Sequence, residues 1–445
     1  MKSKLDNYFK ISQRGSTIAT ELIGGATTFA TMAYILAYMT GAMSAVPGID
    51  LTGVLLCTAL VTAAACIATG LYANAPIALA PVLVIPNLVA AMVAGGEVTY
   101  GQAFGMVAIS GVIFVLISVF KLRELFAQSL PKNIKIGIGG AVGLLIASIG
   151  LNTSGLAAAG EDGSFIDFGN KSVVLGLIGL VIALLLTYLK ININGRTYKV
   201  KGALLISIVV TTIIGIPMGV TVLPESIFTS GAISSIGSVA FQVDIIGALK
   251  LSFVPFILML LINDFFGTLG TGLAMAGKAG LLDEDGNFPA FGKVFLMDSA
   301  ATIVGSLFGV TTVSCFAESA AGVESGSRTG LSNMSTAFFF LLCMLFSPLF
   351  LMIPGAATGS ALIVVGISML ETLRDVDFNG AEFLPVAVML LVTAYKGDYV
   401  AGIALGMFTY LVVSVIRAAV NRDAKQIPQW PAWLLGVLMV LYFIF

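Results

Sequence analysis

Two stretches decide how this chain folds: residues 76–95, PIALAPVLVIPNLVAAMVAG, and residues 309–330, GVTTVSCFAESAAGVESGSRTG. Both lie among long apolar runs, yet neither reads as one continuous helix. Pro76, Pro81 and Pro86, with the β-branched residues between them, interrupt the first; proline lacks an amide donor and suits a first helical turn. The second opens on a Thr/Val/Ser run and turns helical near Ala317. Each reads as an extended strand followed by a half-helix. Backbone of that kind is tolerated at membrane depth only against protein or a water-filled cavity.

Composition supplies the membrane. Of 445 residues, 58% are hydrophobic and 10% charged, against about 45–50% and about 25% in a soluble domain. Apolar runs of bilayer length recur throughout, and fourteen spans are expected, at roughly 17–45, 51–72, 76–95, 100–120, 133–151, 172–189, 202–221, 247–271, 293–310, 313–327, 330–352, 355–371, 381–395 and 399–420. The two interrupted stretches are then the third and tenth spans, equivalent positions of two seven-span halves. An odd number of spans per half sets the halves upside down to each other. That inverted repeat is common in secondary transporters, whose substrates bind near the midplane at broken helices. The fold class is thus an all-α polytopic membrane protein with fourteen segments in a 7+7 inverted repeat, and short strands plus half-helices in spans three and ten. The run 433–445 is too short to cross squarely and is left unassigned.

Positive charge sets the orientation. Lys2, Lys4, Lys10 and Arg14 precede the first span; Lys121, Arg123, Lys132 and Lys135 follow the fourth; Lys190, Arg196, Lys199 and Lys201 follow the sixth; Arg328 follows the tenth; and Arg417, Arg422 and Lys425 follow the last. Fourteen crossings bring all of them to the cytoplasmic side, together with both termini. The opposite loops are acidic or neutral, as around Glu161, Asp162 and Asp167. No cleavable signal peptide is expected. The net charge of −1 gives no field to steer nucleic acid, and the four cysteines, Cys57, Cys66, Cys315 and Cys343, sit in apolar stretches as buried thiols without a metal-ligand pattern.

Carboxylates inside spans carry the chemistry, because an acid at a helix centre costs about 2.5–3.5 kcal/mol on insertion scales. Asp264 lies deep in the eighth span, FILMLLINDFFGTLGTG (256–272), and Glu318 lies at the start of the tenth-span half-helix. There the helix dipole and free amides favour a carboxylate or a ligand carbonyl. Thr268 lies one turn beyond Asp264 on the same face, and Asn263 flanks it. Asn87, just after Pro86, has an amide to offer a ligand. The other acids read as structural: Glu21 as a solvated acid near the cytoplasmic end of the first span, Asp298 as a helix-end hydrogen bonder, and Glu324 with Arg328 as an i,i+4 pair. GIGGAVG (137–143) lies within an apolar span and reads as close helix packing. No Walker loop, Cys/His cluster or nucleophile elbow occurs, so no enzyme and no cofactor is expected, and transport is secondary. With no histidine in the chain, a coupled proton has to ride on a carboxylate.

The segments TTFATMAYIL (27–36), GLYANAPIALAP (70–81), AGLLDEDGNFP (279–289), DSAATIVGSLFG (298–309) and ESAAGVESGSRTGL (318–331) resemble the AzgA-like hypoxanthine/adenine/guanine permeases of the nucleobase–cation symporter (xanthine/uracil permease) family, in order and over nearly the whole chain. The resemblance implies a core domain of spans 1–4 and 8–11 (17–120 and 247–352) and a gate domain of spans 5–7 and 12–14 (133–221 and 355–420), between a cytoplasmic N-terminus (1–16) and a C-terminal segment (421–445). It implies that Asp264 and Glu318 hold the base, that Glu318-Ser319 is the family's tenth-span pair, and that a homodimer forms. Two positions depart from the family pattern: VLVIPN (82–87) replaces a glycine-rich run ending in Asn, which displaces Asn87 by one, and Gly267 replaces a second acid.

The expected function is import of a purine nucleobase (adenine, guanine or hypoxanthine) across the inner membrane by proton symport with alternating access. Glu318 accepts ring N–H bonds, backbone amides near Ala317 donate, and Asp264 binds the opposite edge or carries the proton. Phe265, Phe266, Phe316 and Tyr34 are the aromatic candidates for stacking. Xanthine, urate, uracil or another heterocycle, and sodium as the coupling ion, remain open. An inorganic anion is disfavoured because two acids facing the pocket would repel it.

Overall fold

The structure, a computed structural model, describes residues 2–120, 129–157, 166–188, 190–193, 196–200, 203–281, 288–377, 383–422 and 427–444. Lys121, Arg123, Glu161, Asp162, Lys201, Lys425 and residues 282–287 of the segment 279–289 lie outside the described residues, as does the side chain of Phe266.

A short helix α1 (Lys2–Phe9) precedes α2 (Ile18–Met32), α3 (Tyr34–Met43) and α4 (Leu51–Tyr72). Strand β1 (Leu79–Pro81) leads into α5 (Ile85–Ala94), followed by α6 (Tyr100–Val119), α7 (Lys132–Thr153) and α8 (Lys171–Tyr188). A hairpin of β2 (Lys190–Ile193) and β3 (Arg196–Lys199) precedes α9 (Ala203–Met218) and the short α10 (Ala232–Val239) and α11 (Ile245–Ala248). Then come α12 (Val254–Lys278), α13 (Phe291–Leu307), β4 (Val313–Cys315) and α14 (Ser319–Glu324). The chain ends with α15 (Leu331–Cys343), α16 (Ser347–Leu351), α17 (Gly355–Leu370), α18 (Phe383–Lys396), α19 (Tyr399–Asn421) and α20 (Trp430–Ile444).

Among the described residues nine helical stretches are long and apolar enough to cross a membrane, and they fall at nine of the fourteen expected spans. Shorter apolar helices, α5, α9 and α18, stand at the third, seventh and thirteenth. The run after Trp430 is helical, as α20.

Local chemistry sets the helix starts. Thr17, Asp50 and Asp398 accept backbone amides of the turns they open, and Thr99 with Gln102 forms a reciprocal capping box on α6. Pro86 occupies the first turn of α5, where its missing amide costs nothing. The β2–β3 hairpin was not expected. Its signal is the Asn194-Gly195 dipeptide between two polar–apolar alternations, the pairing that two-residue hairpin turns favour.

The two interrupted stretches meet. Strand β1 pairs antiparallel with β4 in the register Leu79 with Cys315, Ala80 with Ser314 and Pro81 with Val313. Val82 N donates to Thr312 O (2.8 Å) and Phe316 N to Ala78 O (3.0 Å), extending the ladder at both ends. All six strand residues are buried.

Around this ribbon the helices sort into two groups. α2, α4, α6, α13 and α15 pack with one another, with α12 against β4 and α3 against α5. α7, α8, α9, α17, α18 and α19 form the other group, centred on the α7–α17 contact. That contact is close because it is built on glycine. A Cβ placed on Gly366 would lie 2.5 Å from Gly143 O and 2.6 Å from Ala147 N. GIGGAVG is therefore the packing surface its composition implied. We expect Gly366→Val to push α7 and α17 apart at about 1–3 kcal/mol. It would appear as a lowered melting temperature and loss of the monodisperse peak in detergent size-exclusion chromatography. A variant with the parent melting curve would contradict this packing.

Candidate functional site

Where β4 ends, residues 314–318 form one wall of a cavity. Val82, Leu83 and Val84 join them from the end of β1. The opposite side comes from the second helix group: Val142 and Ile146 of α7, Val365 and Met369 of α17, and Tyr399 of α19. The cavity therefore lies between the two groups, beside the point where both discontinuous segments break.

Glu318 is the acid in that wall. It is the residue before α14, and its side chain makes no capping bond to that helix. Its carboxylate instead takes a bond from Tyr34, whose hydroxyl donates to Oε1 at 2.5 Å. Thr31 Oγ1 donates to the Glu318 backbone carbonyl at 3.2 Å. Glu318 is 9% exposed and Tyr34 2%. Helices α2 and α3 thus hold both the backbone and the carboxylate of Glu318 in place. A carboxylate has about four lone-pair sites, so one phenol leaves capacity for a ligand.

The other expected residues divide. Phe316 and Ala317 line the cavity. Ser319, fully buried, accepts from Ala78 N through Oγ at 3.0 Å and ties α14 to β1. Asn87 Nδ2 donates to the Tyr38 hydroxyl at 2.6 Å, and that hydroxyl donates to Leu83 O. Asn87 and Tyr34 therefore stand behind the wall rather than in it. Phe265 lies parallel to Phe295 with ring centroids 6.3 Å apart, inside the first helix group.

On α12 the face presented to the cavity carries Asn263, Gly267 and Thr271, spaced four residues apart. Asp264 and Thr268 lie one residue further round and are fully buried. Thr268 Oγ1 donates to Asp298 Oδ2 at 2.7 Å and lies 2.8 Å from Ser314 Oγ, so this face joins α12 to α13 and β4. Asn263, Gly267, Thr271 and Ser314 are among the wall residues that sequence reasoning did not select as ligands. The signal was the i,i+4 stripe beside Asp264, but a helix with polar residues on two adjacent faces does not say which face meets the cavity.

Three structural readings are corrected. Glu21 is not solvated: it is 0% exposed and accepts from Arg328 N at 2.8 Å and Thr329 N at 3.3 Å, securing the chain that leaves α14. Asp298 is not at a helix end but inside α13, also at 0% exposure. Glu324 and Arg328 are not neighbours on a helix, because α14 stops at Glu324. Arg328 Nη1 instead donates to Val323 O and Ser327 O, both at 2.7 Å, while Glu324 lies 3.9 Å from Lys278 Nζ.

A cavity between two helix groups, beside paired discontinuous segments in a multi-pass bundle, defines a membrane transporter. Two solved transporters share the fold. The transmembrane domain of a cyanobacterial bicarbonate transporter, BicA, is similar with a TM-score of 0.58 at 17% identity, covering 88% of this chain and 95% of that one. The murine anion transporter Slc26a9 is similar with a TM-score of 0.64 at 15% identity, covering 90% of this chain and 69% of that one. Residues 19–396 match the Permease family model of xanthine/uracil permeases, and the chain belongs to that family. Relatives include a putative permease of Methanocaldococcus jannaschii, 34% identical over 99% of this chain and 98% of that protein. The adenine permease AdeQ of Escherichia coli is 32% identical over 92% and 90%. The guanine/hypoxanthine permease PbuO of Bacillus subtilis is 32% identical over 92% and 94%.

The Glu21 clasp supplies a test independent of transport. Glu21→Ala leaves the part-buried Arg328 amide and the buried Thr329 amide without their acceptor, and we expect it to destabilise the protein by about 1–3 kcal/mol, read as a lowered melting temperature in detergent. An unchanged melting curve would show that the clasp does not anchor the segment after α14.

Proposed function

We propose that this permease is a secondary transporter importing purine nucleobases across the inner membrane with protons, by alternating access. The observation that carries the reading is Glu318, a buried carboxylate in a cavity wall between two helix groups, aligned by the Tyr34 hydroxyl. A carboxylate so held accepts hydrogen bonds from ring or amino N–H groups, and a heterocycle without them leaves it unpaired at a cost. Kinship with adenine and guanine/hypoxanthine permeases supports purines as the cargo.

The two helix groups are then the core domain (17–120 and 247–352) and the gate domain (133–221 and 355–420). Antiparallel pairing of β1 with β4 is what a two-fold axis in the membrane plane would produce from two inverted seven-span halves. Core and gate move against each other around a base held near Glu318. Phe316, buried in the same wall, offers a ring against its face. Asp264 sits one residue off the wall-facing stripe of α12 and serves as the coupling acid rather than a direct ligand. No imidazole competes for the role, since the chain has no histidine. Both termini are cytoplasmic, and two copies pair in the membrane.

The test is uptake of radiolabelled adenine, guanine, hypoxanthine, xanthine and uracil, with sulfate as the anion control, in a host lacking its own permeases. We expect purine uptake that a protonophore abolishes at constant sodium. Glu318→Gln should lower uptake at sub-saturating base about 10- to 100-fold, the worth of a hydrogen bond to a charged group, at unchanged membrane expression. Parent-like uptake by that variant would remove Glu318 from the site; sulfate uptake without purine uptake would overturn the function. Asp264→Asn should flatten the pH dependence of uptake, and an unaltered pH profile would make that acid structural.

A further inference from the structure

Glu318 is not the only acceptor in the cavity wall. Asn263 lines the same cavity and is 1% exposed. Its Nδ2 donates to Met259 O, one turn back on α12, at 2.8 Å. That bond fixes the amide's orientation, because a flipped amide would set Oδ1 against a carbonyl oxygen. Oδ1 is thus the free end of the side chain, and it is buried without a hydrogen-bond donor. A buried amide oxygen left unpaired costs about 1–3 kcal/mol, so such an atom in a cavity wall marks a place where a donor belongs. One turn further along the same stripe, Gly267 has no side chain to fill that need, and a Cβ there would already lie 3.1 Å from Ser314 Oγ.

We infer that Asn263 is a selectivity residue whose Oδ1 accepts a hydrogen bond from an N–H group of the transported heterocycle. The inference rests on the purine reading and narrows it. With Glu318 taking one N–H, the wall holds two separate acceptors, so the favoured ligand presents N–H donors on two edges. Adenine, guanine and hypoxanthine each do so, through an imidazole N–H and either an exocyclic amine or a ring N1–H. Unsubstituted purine offers only the imidazole N–H, and a 9-methylated base blocks that edge instead.

The experiment measures binding of adenine, hypoxanthine, unsubstituted purine and 9-methyladenine to the full-length protein in detergent, for the parent, Asn263→Leu and Asn263→Ser. Serine at this position donates to the same Met259 carbonyl and keeps lone pairs free to accept. We expect Asn263→Leu to weaken the tightest-binding base about 10- to 100-fold, while leaving the analogue that lacks the contacted N–H within about threefold of its parent value, the non-additivity of a direct contact. Asn263→Ser should recover most of the lost affinity. Equal weakening of all four ligands by Asn263→Leu, or no weakening, would overturn the inference while the purine reading stands. A parent protein that binds none of the four would overturn both. Should Asn263→Leu fail to yield folded protein, Asn263→Ala takes its place, since it too removes the acceptor: it must lower the ratio of base to analogue affinity about 10- to 100-fold, and a parent-like ratio would overturn the inference.

Discussion

The structure depends on two three-residue strands that satisfy each other's backbone. Apolar surroundings give an unpaired amide or carbonyl no water to turn to, and each one left unmade costs several kcal/mol. β1 and β4 solve this jointly, with Leu79 facing Cys315 and Pro81 facing Val313. Neither stretch has a stable extended form alone, so the first and second halves of the chain must come together for either to exist. Side chains reinforce the ribbon: Thr302 Oγ1 accepts Val313 N at 3.0 Å, and Ser319 Oγ accepts Ala78 N at 3.0 Å. The cavity follows from this pairing. The chain has to leave the ribbon at both ends, and residues 82–84 and 314–318 are where it does so.

The same geometry explains why the wall acid is held by an aromatic hydroxyl rather than by a basic residue. A guanidinium beside Glu318 would neutralise the carboxylate and compete with any N–H of a neutral base. Tyr34 orients Oε1 with one hydrogen bond and adds no charge. Tyr38, on the same helix, orders the other wall by donating to Leu83 O and is itself fixed by Asn87. Helix α3 thus supports both discontinuous segments from behind through two phenols. The Glu21 clasp on the Arg328 and Thr329 amides secures the chain where it leaves α14.

Much of this was legible in the sequence. Pro76, Pro81 and Pro86 cannot sit in an uninterrupted helix, and the Thr/Val/Ser run before Glu318 has no helical pattern, so strand-plus-helix at both places follows from backbone chemistry alone. Glu318 stood out because an acid in an apolar span is expensive. What could not be read is rotation about a helix axis. Asn263, Asp264, Gly267, Thr268 and Thr271 occupy two neighbouring stripes of α12, and only tertiary packing decides that the first, third and fifth meet the cavity while Thr268 turns to Asp298. Glu21 and Asp298 were misread for different reasons. Glu21 does stand in the first turn of α2, but the segment after α14 closes over it, a tertiary contact that hydropathy does not carry. Asp298 lies deeper than expected because α13 begins at Phe291, ahead of the span end judged from hydropathy.

Fold alone leaves the cargo undecided, since this architecture also serves anion transporters. The discriminating feature is the sign of the wall. An anion needs donors and positive charge around it, supplied by backbone amides, hydroxyls or basic side chains. Here the wall carries a carboxylate from one segment and an unpaired amide oxygen from another, both acceptors, and among its described lining residues there is no lysine or arginine. Bringing an anion against Glu318 in a site of low dielectric adds repulsion that nearby hydroxyls such as Ser314 and Thr271 cannot offset. A neutral, flat molecule with N–H donors on its rim meets both acceptors without that cost. It also leaves the apolar side formed by Val142, Ile146, Val365 and Met369 to cover its faces. The cavity is thus marked by what it lacks as much as by what it offers: two acceptors in its wall and, among the described lining residues, no basic side chain to balance an anion.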